Sequence, residues 1–121
     1  FVAIEERVRF PGGVEVSFRA VDQANRTWLL DLAGGFTSTS AGLRRTETLW
    51  RVLGKAAVLH EIAPASPLII LTTGGPSGSG QPALNAVLGQ GKPIADVVVI
   101  TSPEDQARLR QLAAGVQSGS R

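Results

Sequence analysis

Asp31 lies inside the apolar run Trp28-Leu29-Leu30-Asp31-Leu32-Ala33. Buried charges are paired with an opposite charge or bound to a metal, because an isolated ion in an apolar interior is very costly. Upstream, Val14-Glu15-Val16-Ser17-Phe18-Arg19-Ala20-Val21 alternates in period two, and the polar stretch Asp22-Gln23-Ala24-Asn25-Arg26 separates the two runs. Folding them back on each other about Ala24 brings Asp31 opposite Ser17. Glu15 then falls one step along on the same face, since alternate strand residues share a face. Two carboxylates on adjacent strands suit a divalent cation such as Mg2+, which takes oxygen ligands and keeps several waters for substrate phosphates. The chemistry implied is phosphodiester hydrolysis, with Glu15 and Asp31 as the metal ligands. The plainer alternative stays open: Asp31 is a buried acid hydrogen-bonded to backbone or to an arginine, and Glu15 sits on a solvated face.

The second group of candidates is cationic. From Gly42 to about Ile62 the apolar period becomes 3.6, with Leu49, Val52, Leu53, Ala56 and Leu59 in one stripe. The other side carries Arg44, Thr48, Arg51 and Lys55, a spacing that aligns three cations along one exposed helix line. Such a line fits a nucleic-acid phosphate backbone, whose neutralisation releases counterions. It also fits an ordinary solvated helix face. Four phenylalanines and two tryptophans are too few to expect single-strand binding by base stacking. The loop Gly74-Gly75-Pro76-Ser77-Gly78-Ser79-Gly80 has the glycine content of an anion cradle but no following Gly-Lys-Ser/Thr, so a surface loop is the better reading. His60 has no serine or cysteine nucleophile signature near it and reads as a helix-terminal residue favoured by the dipole.

The elements that must position these residues follow from the same patterning. Val2 to Phe10 alternates with Val2, Ile4, Val8 and Phe10 on one side, and Pro11-Gly12-Gly13 is a turn. Val14–Val21 is the second strand. Thr27–Ala33 is nearly continuously apolar, as a strand covered on both faces should be. After the helix, Pro64 and Pro67 forbid its continuation, and Leu68–Thr72 reads as a short buried strand. Pro82 to about Leu88 reads as a short helix, and Ile94–Ile100 as a second buried strand parallel to the last. Ser102-Pro103-Glu104-Asp105 is a helix start with a serine cap and proline at the first position, leading to a helix that ends near Ala114, before Gly115. It should bury Leu109, Leu112 and Ala113. The fold class expected is therefore α/β: a three-strand antiparallel meander followed by helix, strand, helix, strand and helix, on a mixed sheet.

The whole chain sets the bounds. Its 121 residues suit one hydrophobic core, read as a single domain over residues 1–116 with a loose tail at 117–121. A composition that is 43% hydrophobic and 18% charged argues against disorder and against a coiled coil. No apolar run approaches the ~20 residues of a membrane helix, so no membrane partner is expected. With no cysteine and one histidine, thiolate and multi-histidine metal sites are excluded within this chain, and a cytoplasmic setting is the default. The absence of methionine, even at position 1, predicts part of a longer polypeptide. The net charge is only +2, but ten of the twelve basic residues are arginine, the side chain suited to bidentate phosphate contacts. A homodimer is compatible with all of this.

Gly13-Val14-Glu15-Val16, a hairpin, Leu30-Asp31-Leu32-Ala33-Gly34 and then a helix with basic residues form a pattern. It resembles the PD-(D/E)XK nuclease superfamily, the restriction-endonuclease-like fold, over about Val2 to Ile100. The resemblance implies a Mg2+-dependent endonuclease acting on DNA in restriction or repair, with Glu15 and Asp31 matching the family's two acids. Ala33 stands where the family has a lysine. Some members supply that cation from the following helix, and Lys55, Arg51, Arg44 or Arg45 would do so here. The site implied is thus Glu15, Asp31 and Lys55 for catalysis, with Arg44, Arg45 and Arg51 contacting DNA. The family's initial helix, which often carries a further acid, has no counterpart, although Glu5 or Glu6 could substitute. Ala33 also favours a second reading, a catalytically silent module that binds nucleic acid or protein. A third reading is a small nucleotide- or anion-binding domain built on the glycine-rich loop.

Overall fold

The computed structural model describes residues 1–33, 46–73 and 80–115. Two hairpins open the chain. β1 (Ala3–Arg9) and β2 (Glu15–Val21) are joined by a turn that places Gly12 and Gly13 at φ +87° and +83°, conformations that glycine adopts without Cβ strain. β2 and β3 (Thr27–Ala33) are joined through Asp22 to Arg26, with Asn25 at φ +66°. α1 (Thr46–Ile62) leads to β4 (Leu68–Thr72), α2 (Gly80–Val87), β5 (Asp96–Val99) and α3 (Pro103–Ala113). The strands form one five-stranded sheet in the order β1-β2-β3-β4-β5. The first three run antiparallel, and β3, β4 and β5 are mutually parallel. The α/β class and mixed sheet therefore match the reading of the sequence. No helix among the described residues is long and apolar enough to cross a membrane.

Each face of the sheet has its own core. On one face, Leu29, Ala33, Leu68 and Ile70 pack with Leu49, Val52, Leu53, Ala56 and Leu59 of α1 and Leu84 of α2. On the other, Ala20, Trp28, Leu30, Ile69 and Val98 pack with Leu112 of α3. A strand covered on both sides has no polar face to display, which accounts for the apolar runs of β3 and β4. α3 starts as its sequence predicts: the Ser102 hydroxyl accepts the Asp105 N–H, and Pro103 occupies the first turn. Leu112 is buried, whereas Leu109 and Ala113 are only partly so. The end of α3 rests on the β2–β3 turn through Gln23 N–H to the Ala113 carbonyl, 2.9 Å.

Three local expectations need correction. β5 is shorter than expected, with Ile94 forming an isolated bridge to Leu88 ahead of it. The line of cations on α1 is not uniformly exposed, because Thr48 is buried and Lys55 turns inward. The third correction concerns β1, in which only Val8 is buried while Val2 and Ile4 are 66% and 61% exposed. Val8 and its partner Val16 join the α1 core, but Phe18 and Ala20, which oppose Glu6 and Ile4, belong to the α3 side. In a regular strand Val16, Phe18 and Ala20 would share one face. The alternation therefore inverts at Ser17 in β2 and at Arg7 in β1, and Arg7 has the left-handed φ of +54°. The helix start expected at Gly42 and the loop at 74–79 lie outside the described residues.

Candidate functional site

The inversion in β1 and β2 leads directly to Asp31. The β2–β3 ladder pairs Val21 with Thr27 through to Phe18 with Leu30 and goes no further, so the next rung, Ser17 with Asp31, is not backbone-paired. Side chains take over there. Asp31 Oδ1 accepts the Ser17 backbone N–H at 3.0 Å and the Ser17 hydroxyl at 3.1 Å, while Ser17 Oγ accepts the Leu32 N–H at 3.1 Å. The β1–β2 ladder also skips this rung, leaving Arg7 and Ser17 unpaired between Glu6–Phe18 and Val8–Val16. Along one transverse line, Arg7-Ser17-Asp31, the pairing of β1 with β2 and of β2 with β3 is thus interrupted, while Asp31 keeps its regular parallel pairing with Ile70 of β4.

The second carboxylate oxygen of Asp31 receives Lys55. From the middle of α1, Lys55 Nζ donates to Asp31 Oδ2 at 2.8 Å, with the acid's side chain 6% exposed and the lysine's 28%. Asp31 projects from the α1 side of β3, between Leu29 and Ala33, and Lys55 borders the apolar stripe of α1 opposite it. A buried acid in this setting is tolerable because three donors and one full charge compensate it. An open concavity of about 500 Å3 lies over the pair, bordered by Glu6, Arg7, Glu15, Ser17, Asp31 and Lys55.

The other sequence-predicted residues are placed as follows. Glu15 borders the same concavity, but its carboxylate meets Arg9 Nε at 3.3 Å in an exposed pair, and its neighbour Val16 points into the α1 core. Arg51 is exposed on α1. Arg44 and Arg45 lie outside the described residues, as does most of the glycine-rich loop. His60 sits in the last turn of α1.

The donor set can be tested against the ion that the acids suggest. Among the described residues, no group of three or more histidine, aspartate or glutamate side chains converges to hold a metal. Three carboxylates, of Glu6, Glu15 and Asp31, border the concavity, and Mg2+ commonly uses one or two carboxylates while keeping several waters. Val14 and Val16, on either side of Glu15, both pack on the α1 side, so Glu15 is directed to the sheet face opposite Asp31 and the two acids do not converge on one ion.

Sequence reasoning passed over two features. Ser17, read only as a register marker, is the group that ties β2 to Asp31. Asp22, read as a turn residue, is fully buried and accepts the N–H groups of Ala24 (2.8 Å) and Arg26 (2.9 Å), Arg26 Nε (3.2 Å) and Trp28 Nε1 (2.9 Å). Burial pushes its carboxyl upward, but the Trp28 bond, the two backbone amides and the Arg26 charge outweigh burial and hold it below the ordinary carboxylate value. The signal was available: an aspartate followed two and four residues later by chain that must reverse is an Asx-turn former. A third acid–base cluster, Arg108 with Asp96 (2.7 Å) and Asp105 (3.0 Å), ties α3 to β5, and the hydrogen bond to Asp96 raises the guanidinium further above its usual range.

Comparison with protein-family models, with curated proteins and with solved structures finds no match for this chain.

Proposed function

We propose that the domain acts on phosphodiesters of DNA, as a nuclease-like hydrolase whose acid is Asp31 and whose cation is Lys55. The observation that carries this reading is the 2.8 Å contact of Lys55 Nζ with Asp31 Oδ2 beneath an open concavity. The lysine that the nuclease pattern would place two residues after Asp31 is replaced by Ala33, and α1 delivers a lysine ammonium to the same carboxylate from the opposite direction. Ser17 holds one oxygen of Asp31 through two hydrogen bonds, so the other is oriented toward Lys55. An ammonium has three donors, and with one given to Asp31 the others can hold a phosphate oxygen or the attacking water. Of the two acids only Asp31 faces α1, and it would hold the Mg2+ with waters completing the shell. When bound, that ion supplies a Lewis acid for the phosphoryl group and lowers the pKa of its water. Partial exclusion of water at Asp31 strengthens each of these interactions relative to an exposed site.

The test is nicking of supercoiled plasmid with Mg2+ or Mn2+, comparing the wild-type chain with Asp31→Asn and Lys55→Ala. Cutting by the wild type that falls at least a hundredfold in both variants supports the reading. Equal cutting by all three points to a contaminant and sinks it.

A second reading is favoured by the Arg9–Glu15 pair and by the lack of a third converging acid among the described residues. In it the same concavity binds nucleic acid or protein without chemistry. Salt-sensitive DNA binding without cutting, weakened by Lys55→Ala, would select it.

A further inference from the structure

The outer face of α1 has the composition of an interface. Trp50, Val58 and Ile62 are exposed, Trp50 to 58%, and with Gly54 they form a single row spaced four residues apart. Large apolar side chains in a row on solvent cost solubility and usually mark a contact surface. Gly54 adds an independent observation. A Cβ built on it would meet nothing within 4 Å, and its φ is not in the left-handed region, so nothing among the described residues requires glycine there. Glycine in a helix interior costs about 1 kcal/mol relative to alanine. A glycine retained at that cost in the middle of an exposed apolar row fits a helix against which another backbone comes close.

The row is complementary to itself. When two copies of α1 are related by a two-fold axis level with Ala56, Gly54 faces Val58 of the second copy, Trp50 faces Ile62, and Arg51 stands level with Glu61. Each position pairs with its symmetry mate: the residue lacking a side chain meets a branched one, and the cation meets an anion. Among the described residues, neither Arg51 nor Glu61 has an ion-pair partner. Rows spaced by four that lie along one another give the commonest helix-crossing class.

We infer that the exposed Trp50-Gly54-Val58-Ile62 face of α1 is a homodimer surface, on which two copies pack antiparallel with Arg51 of each paired to Glu61 of the other. This assigns Arg51 to the dimer rather than to DNA, and it stands independently of the phosphodiester reading. A helix of 17 residues supplies a modest area, so the dimer dissociates in the micromolar range.

Sedimentation velocity from about 1 to about 100 µM, across which such an interface dissociates, tests it. The wild-type chain is expected to pass from monomer to dimer over that range. Gly54→Leu should remain monomeric while unfolding at no lower temperature, since its side chain has open space in the monomer and leucine favours helix over glycine. Arg51→Glu and Glu61→Arg should each weaken association about tenfold by placing like charges opposite, and the double exchange should restore it. A wild type that stays monomeric throughout overturns the inference. So does a Gly54→Leu chain that still dimerises, or a double exchange that fails to recover what the single exchanges lost.

Discussion

Asp22 and Asp31 are both buried acids on the same hairpin, at opposite ends of β3, and they are satisfied in different ways. Asp22 takes four hydrogen bonds, all from residues 24–28, and all of them close the β2–β3 turn. Its partners are local, so the carboxylate completes its own site as the hairpin forms. Asp31 draws on three separate elements: it belongs to β3, Ser17 to β2, and Lys55 to α1, 24 positions away. Its surroundings also open onto a concavity, whereas Asp22 is sealed under Trp28 and Arg26, whose guanidinium lies 5.3 Å from the indole ring. An acid satisfied by its own turn maintains structure. One assembled from distant segments at a solvent opening can exchange a partner for a ligand.

Substitutions test this contrast directly, beginning with the largest effect. Asp22→Ala leaves the indole N–H and the Arg26 guanidinium without an acceptor in a buried turn, and should cost about 3–5 kcal/mol in urea unfolding. Asp31→Asn keeps an acceptor for Ser17 and leaves Lys55, already partly hydrated, free to turn to water; the expected cost is about 1 kcal/mol. Its effect on plasmid cutting should be far greater than its effect on stability. If Asp31→Asn proves as destabilising as Asp22→Ala, the distinction between the two acids collapses.

The pH dependence sharpens the same comparison. Because the folded-state carboxyl of Asp22 lies below its ordinary value, its contribution is present above the unfolded pKa and is lost as pH falls through the folded one. The urea midpoint of the wild type should therefore drop below about pH 4, and Asp22→Asn should flatten part of that drop. A profile identical in the two proteins would assign the acid sensitivity elsewhere.

Ser17→Ala removes one hydroxyl bond to Asp31 and the acceptor of the Leu32 N–H, with an expected loss of about 1 kcal/mol that urea unfolding would register. The smallest effect has the opposite sign. Arg7→Gly relieves a left-handed φ of +54° and should be neutral or stabilising by up to about 1 kcal/mol. Clear destabilisation would mean that the Arg7 side chain, rather than its backbone, holds the rung.

The sequence was most readable where one local rule decided the outcome. Hydrophobic patterning located β3, α1 and β4, which bury both faces or a stripe, and the extent of β1 and β2, whose alternation inverts partway. Turn arithmetic centred on Ala24 placed Asp31 opposite Ser17, and the Ser17–Asp31 hydrogen bonds sit at that position. The failures share a cause. Alternation placed Ile4 with Val8 and Glu15 with Ser17, but it assumes an uninterrupted strand, and the inversion at Arg7 and Ser17 arises from backbone dihedrals that no hydrophobic pattern encodes. The inward turn of Lys55 was equally illegible in one dimension, since its distance to Asp31 depends on where α1 lands on the sheet. Asp22 was legible and passed over, because turn composition explains an aspartate without revealing that a tryptophan will cover it.

In this sheet the spatial order of strands repeats their order along the chain. Each strand docks on an edge left by the one synthesised just before it, so the sheet can extend stepwise as the polypeptide leaves the ribosome, without waiting for a later segment to be inserted. Among the described residues, α3 reaches back, through Gln23 and the Ala113 carbonyl, to the loop that Asp22 organises. α3 thus acts as a latch on one of the earliest turns to form, and a chain stalled before residue 103 would present an assembled sheet with that turn and the Trp28 face still open to chaperones.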